Sequence, residues 1–306
     1  MRNGIVNLSD LNAQDLEPLL TRQTIEWQEK LDWDFHKSAN LVRKLADART
    51  LSGAALFNQG KIESYAYAGL DGHKGLLAEV YPESILFSAL LEALIQTKGV
   101  QRIEGQLMLR QTPPPGVTTY QRQLMILTPE GHAAISRVRL QPWNGQSVQG
   151  AAEVVAKAYA GHIDSKINDH YRTGTGAAAY LQNIEHYPGS ATFHPPASFV
   201  AYGADNNPEG IVLSSFIASE VAHIAEICVT PESRGRGLGR ELLNQAIAAL
   251  RLAGAKRISL AVTTANKDAI RLYTKQGFLK QRRFYAFVWE APSRSSTTRK
   301  NDSASA

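Results

Sequence analysis

Residues 224–243 read IAEICVTPESRGRGLGRELL, with Gly235, Gly237 and Gly239 at alternate positions and Arg234 and Arg236 interleaved with them. Glycines so spaced let a turn bend until successive backbone N–H groups point inward. A helix that follows adds its own unpaired N–H groups and positive dipole end. The chemistry of such a turn is anion binding, strengthened by guanidinium groups, and a pyrophosphate is the expected occupant. Upstream, Glu226 is a lone carboxylate in an apolar run, a setting in which desolvation raises a carboxyl pKa toward a value useful for a base. The alternative for Glu226 is a structural hydrogen bond or salt bridge. Cys228, the single cysteine, lies in the same run. It rules out internal disulfides and cysteine-based metal clusters, and it reads as an inert core thiol.

The turn matches neither common nucleotide signature. No lysine followed by a hydroxyl residue closes it as in a P-loop, and Arg240 and Leu242 stand where a dinucleotide fingerprint would place its last glycine. What must position these groups is a strand, the turn and a helix. Residues 223–230 form an apolar strand pattern, and Leu238, Leu242, Leu243, Ala246, Ile247 and Leu250 share one helical face that Gly254 ends. A strand at 258–262 follows. Asn266 then caps a helix carrying Ala269, Ile270 and Tyr273, Gly277 takes the left-handed position beyond it, and 284–289 is a final strand. Before the turn, helices are predicted around 154–159 and 177–186, and strands at 198–202 and 211–218.

The first half has the same order of elements. Ser9 or Asp10 is a candidate cap for a first helix carrying Leu11, Leu16, Leu19 and Leu20, and a second stripe runs from Leu41 to Ala46. Residues 53–82 read as a three-strand meander with turns at Asn58-Gln59-Gly60 and Asp71-Gly72. A helix at 85–94 and strands near 100–109 and 120–127 complete it. LLAEVYPES at 76–84 lies opposite IAEICVTPES at 224–233, yet it enters its helix without glycines or arginine, and no tyrosine-bearing helix follows. The pattern implies a tandem repeat whose first copy has lost the anion seat.

Arg234, Gly237 and Gly239 spell R-x-x-G-x-G, and TTANKDAIRLYTKQGF resembles N-x-x-A-x-x-L-Y-x-x-x-G-F. Together with the strand around Ala225-Glu226-Ile227, these resemble the GNAT acetyltransferase superfamily over residues 139–290, and more weakly over the first half. The resemblance implies an α/β fold of the α+β type, two GNAT-like domains in tandem, each a mixed, mostly antiparallel sheet flanked by helices. The expected division is a degenerate domain at 1–136, an acetyl-CoA-binding domain at 137–290 and a disordered tail at 291–306. It further implies that two central strands splay and that Ile227, Cys228 and Val229 offer backbone partners to the pantetheine arm, with the Val229 N–H polarising the thioester. Arg234, Gly235, Arg236, Gly237, Leu238 and Gly239 would hold the pyrophosphate, and Asn266 would also meet the cofactor. Glu226 would be the base and Tyr273 the acid that protonates the leaving thiolate, unless Tyr273 is only a core aromatic.

The implied function is N-acetylation of a primary amine on a small molecule or peptide, by direct attack in a ternary complex with acetyl-CoA as co-substrate. The alternative is an acyl-CoA sensor without turnover. The acceptor would be shaped by residues 162–175 and the region of Tyr285. There Asp164 and Asp169 either attract an ammonium group or are simply solvated, and His162 and His170 lack a metal-ligand framework, so no metal is expected. The formal charge is +5, of which the segment 293–306 supplies a net +2, and no basic stripe is interleaved with aromatics. Nucleic-acid binding is therefore not expected, although a mildly positive field favours an anionic cofactor. With no long apolar run and no basic-then-apolar leader, the expectation is a cytoplasmic protein without membrane attachment.

Overall fold

The structure, a computed structural model, describes residues 3–82, 85–130, 138–186, 189 and 191–292. The boundary expected near residue 136 and nearly all of the expected tail lie outside the described residues. In the first half, β1 (Gly4–Asn7) precedes α1 (Ala13–Leu31) and α2 (His36–Asp47). The meander β2 (Gly53–Asn58), β3 (Lys61–Asp71) and β4 (Lys74–Tyr81) follows, then α3 (Leu86–Gln96), β5 (Arg102–Leu107) and β6 (Thr118–Leu127). The second half holds β7 (Leu140–Pro142), α4 (Val148–Tyr159), the single turn α5 (Asp164–Ile167), α6 (Gly174–His186), β8 (Thr192–Phe193) and β9 (Phe199–Tyr202). It continues with β10 (Pro208–Ala218), β11 (Val221–Val229), α7 (Leu238–Leu252), β12 (Arg257–Thr263), α8 (Lys267–Lys275) and β13 (Leu279–Glu290). The first helix is capped by Asn12 rather than Ser9 or Asp10: its side chain accepts from the Asp15 N–H while Asp15 accepts from the Asn12 N–H, a reciprocal pair that satisfies two donors at once.

The strands join in one 13-stranded sheet ordered β1-β2-β3-β4-β5-β13-β6-β12-β11-β10-β9-β7, with β8 on β10. The order shows an exchange of last strands. β13 of the second half pairs with β5 of the first, and β6 of the first pairs with β12 of the second. Each exchanged strand carries core residues with it. Phe287 of β13 packs in the core under α3, where its ring lies over Gly105, and Met125 of β6 packs in the core under α7. A Cβ at Gly105 would meet that ring at 2.8 Å, so the glycine is required by close approach.

The repeat is visible in the registers. In β11, Ala225 is the extra residue between Ile224 and Glu226, a bulge opposite Leu213 and Ser214; in β4, Ala78 is the extra residue between Leu77 and Glu79. The parallel pairs also part at matching places. β11 stays with β12 only through Ile224↔Leu260, and β4 stays with β5 only through Leu76↔Glu104. Each half therefore opens a wedge beside its glutamate.

Candidate active site

Beyond Ile224, β11 keeps β10 on one edge and faces the wedge on the other. The Thr230 N–H donates to the Glu209 carbonyl on the β10 side at 2.8 Å. Because strand amides alternate in direction, the Val229 and Ile227 N–H groups point into the wedge. The side chains divide by face: Ile227 and Val229 pack toward α7, while Cys228 packs with α4 and α6. Burial first, and then the charge of Glu226, push the Cys228 thiol up, which makes it a poor nucleophile.

At the end of β11 a short 3-10 turn, Pro231–Ser233, leads to Gly235 (φ +76°) and Gly237 (φ +84°), both left-handed, and Gly237 caps α7. Leu238 buries its side chain in the core as the first residue of that helix. Gly239 is different: it is helical, and a Cβ there would lie 3.8 Å from Leu272 and Val229. Those are ordinary contacts, so neither the backbone conformation nor the packing at 239 demands a glycine. The two arginines are engaged within the protein. Arg234 donates to the Ala158 carbonyl at the end of α4 (2.6 Å), and Arg236 donates to the Glu232 carbonyl and to Ser233 Oγ, each at 2.9 Å.

Glu226 lies at the centre of an aromatic box that the sequence pattern did not single out. Tyr159 donates to its Oε1 at 2.7 Å and Tyr171 to its Oε2 at 2.9 Å, and the two rings stack at 4.0 Å. Tyr180 meets Tyr171 edge-on and its hydroxyl reaches the Ala225 carbonyl. Burial pushes the Glu226 pKa above the ordinary carboxylate value, the two tyrosine bonds pull it back, and the charge of Asp164 adds to the rise. Spacing hides this box, because its rings come from α4, the 3-10 turn at Asp169–Arg172 and α6. A signal was present in the run of tyrosines and histidine at 159, 170, 171 and 180. The first half builds a simpler version: Gln23 donates to Glu79 Oε2 at 2.8 Å and the Val80 N–H to its Oε1 at 3.0 Å, and burial raises the Glu79 pKa to about 8.

Tyr273 is buried in the core beside Phe278, and its hydroxyl makes no hydrogen bond to the described residues. Burial, followed by the charges of Glu226 and Asp164, holds the phenol above its usual value, so it stays protonated and able to donate. Asn266 accepts from the Ala269 N–H at 3.2 Å, which makes it the cap of α8. Asp164 is buried and accepts from the Thr263 hydroxyl at the end of β12, with His162 beside it at 3.5 Å. Asp169 binds Lys74 of the first half at 2.7 Å, and the same ammonium lies 3.2 Å from Glu104. Neither aspartate is simply solvated. Glu104, Asp169 and His170 are close enough together to hold a cation, and Lys74 supplies one. Burial drives the His170 pKa down to about 3, which keeps its ring neutral against Tyr180.

Residues 165–278 match the acetyltransferase (GNAT) family. A streptothricin acetyltransferase of Streptomyces lavendulae is 39% identical over 82 residues, 26% of this chain and 43% of that protein. An uncharacterized N-acetyltransferase of Methanocaldococcus jannaschii is 42% identical over 66 residues, 22% of this chain and 29% of that protein. The chain thus spans less than half the length of these curated relatives. Among solved structures, a GCN5-related N-acetyltransferase from Sphaerobacter thermophilus superimposes with a TM-score of 0.62 over 94% of this chain and 95% of its own, at 14% identity. A tandem GNAT protein from the clavulanic acid biosynthesis pathway gives 0.58 over 94% and 99%, also at 14% identity. Residues 165–278 are thus a match to the GNAT acetyltransferase family, and the chain as a whole has the fold of tandem GNAT structures, a mixed α/β structure built on one large sheet. The family uses acyl-CoA. No helix of the described residues is long and apolar enough to cross a membrane.

Proposed function

We propose that the second half transfers an acetyl group from acetyl-CoA to a primary amine of a small molecule or peptide by direct attack. The observation that carries this reading is the wedge itself, with inward Val229 and Ile227 amides and the left-handed Gly235 and Gly237 turn with α7 behind it, and Tyr273 packed in the same core as Ile227 and Val229. These residues fit the coenzyme: Gly235 to Gly239 would take the pyrophosphate, with Leu238 anchoring the helix end, and residues 227–229 would take the pantetheine arm. Arg234 and Arg236 would reach the phosphates by exchanging their backbone carbonyls for the anion. In the reaction the amine nitrogen bonds to the thioester carbon and the C–S bond breaks. The amine proton passes to Glu226 through its tyrosines, and Tyr273 protonates the departing sulfur.

Calorimetry should show acetyl-CoA binding near ~1 μM, lost when Gly237 and Gly239 are both replaced by bulky residues. Binding that survives the double change removes the phosphate seat. Thiol release should be measured over amines, amino acids, aminoglycosides and peptide N-termini. A second reading, an acyl-CoA sensor, is favoured by one observation, that both Glu226 oxygens are already occupied by tyrosine hydroxyls. Binding without turnover on any amine selects it.

A further inference from the structure

The wedge of the first half is the strongest unassigned feature of the molecule. Where β4 leaves β5, a cavity of 220 Å³ opens between the end of β4, the residues after β5 and α1. Its inner wall is apolar, made by Val80, Leu107 and Leu109, and its mouth is cationic, with Arg22, Lys30 and Arg110 on the rim. Arg22 and Lys30 share a single acid, Glu26, at 3.5 and 3.2 Å. Tyr81 lines the same space, 2% exposed, and its hydroxyl is buried with no hydrogen-bond partner among the described residues. The charge of Glu26 acts on that hydroxyl, and a bound oxygen would compete with it for the donor. Glu79 at the floor is held neutral near pH 7 by burial, with its pKa at about 8, so it does not oppose an anion.

We propose that this wedge is a second ligand site, taking a compact organic carboxylate whose apolar body lies against Leu107 and Leu109 and whose oxygens meet the Tyr81 hydroxyl and the Arg22 and Arg110 guanidinium groups. The volume limits the ligand to on the order of ten heavy atoms. A coenzyme is excluded by the missing arm: no glycine stands between Pro82 and Lys98 to seat a pyrophosphate. The site does not depend on the function proposed for the second half.

The test is calorimetric titration of the full chain with octanoate in saturating coenzyme A, which keeps the second wedge filled. Binding stronger than ~1 mM is expected, with 1-octanol and octylammonium at least about tenfold weaker. Arg22→Gln with Arg110→Gln should weaken octanoate about tenfold, and Leu109→Trp, which fills the cavity, should abolish binding while coenzyme A affinity stays unchanged. Absence of octanoate binding, equal binding of the three head groups, or full binding by Leu109→Trp overturns the assignment. If Leu109→Trp does not fold, the head-group series on the unaltered chain and the changes at exposed Arg22 and half-buried Arg110 decide it.

Discussion

The Lys74 ammonium lies 2.7 Å from the Asp169 carboxylate, so a lysine from β4 of the first half is the counter-ion of an acid in the α4–α6 connection of the second. Burial works against the charged form of Asp169, but the bond and charge of Lys74 outweigh it and hold the pKa below the ordinary value. A carboxyl depressed in this way stabilises the fold fully above its unfolded pKa and loses that contribution as pH falls through the folded value. Lys74→Met should therefore destabilise the chain at pH 7, with the deficit shrinking below about pH 4. Urea titrations at pH 7 and pH 3.5 read this directly. An equal deficit at both would remove the ion pair as its cause.

Arg102, beside that pair, donates to the carbonyls of Lys166 and Ile167 at 2.9 Å and to Glu104 at 2.8 Å. It thereby fixes α5 against the first half. Arg102→Met should cost about 2–3 kcal/mol, since it leaves two carbonyls without their donor and buried Glu104 with Lys74 as its remaining partner. Hydrogen exchange should quicken over residues 164–172 and remain slow in α7. Unchanged exchange in 164–172 would show that the loop holds itself.

Tyr171 donates to Glu226, and that bond lowers a pKa that burial raises. Removing the hydroxyl should raise it further. If Glu226 is the base, Tyr171→Phe moves the acidic limb of the kcat/KM profile to higher pH and leaves acetyl-CoA affinity in place. An unmoved limb would assign it to another group.

His223 donates to or accepts from Ser259 Oγ at 2.9 Å and packs on Trp33 of the first half. Burial, then the charge of Arg122, lowers its pKa to about 4. Burial favours the neutral ring in the folded state, so this residue's contribution to stability is full above pH 6.5 and is lost between pH 6.5 and 4, by about 3 kcal/mol. His223→Gln should remove about half of the slope that the two buried histidines give, the other half belonging to His170, whose pKa is about 3. A slope unchanged in His223→Gln would place the titration elsewhere.

The glycine turn, the strand before it and the helix after it were legible because glycine at positive φ and a helical apolar face leave marks that survive without tertiary context. The kinship of the two junctions was legible in LLAEVYPES and IAEICVTPES, whereas the Ala78 and Ala225 bulges they carry were not. The box around Glu226 was not. Tyr159 reads as one more apolar position on a helix face, and nothing local says that Tyr171 from a polar loop will stack on it. The exchange of β6 and β13 was equally hidden, because residues 118–127 and 279–290 are both strand-forming stretches and a pattern of period two does not name the partner edge.

That exchange makes the halves mutually dependent. Residues 138–292 alone would leave β12 with an open edge from Ile258 to Thr263 and deprive the long β13 of both neighbours, β5 and β6. The core under α7 would also lose Met125. An unpaired central edge is a template for association. The fragment should elute as oligomer or aggregate without a cooperative melt, and co-expression with residues 1–130 should restore a one-to-one complex, since β6 and β13 then regain their registers. Gel filtration with light scattering distinguishes these outcomes. A monomeric fragment 138–292 that melts cooperatively would mean that β13 can turn back onto β12 and that the exchange is one of two available pairings.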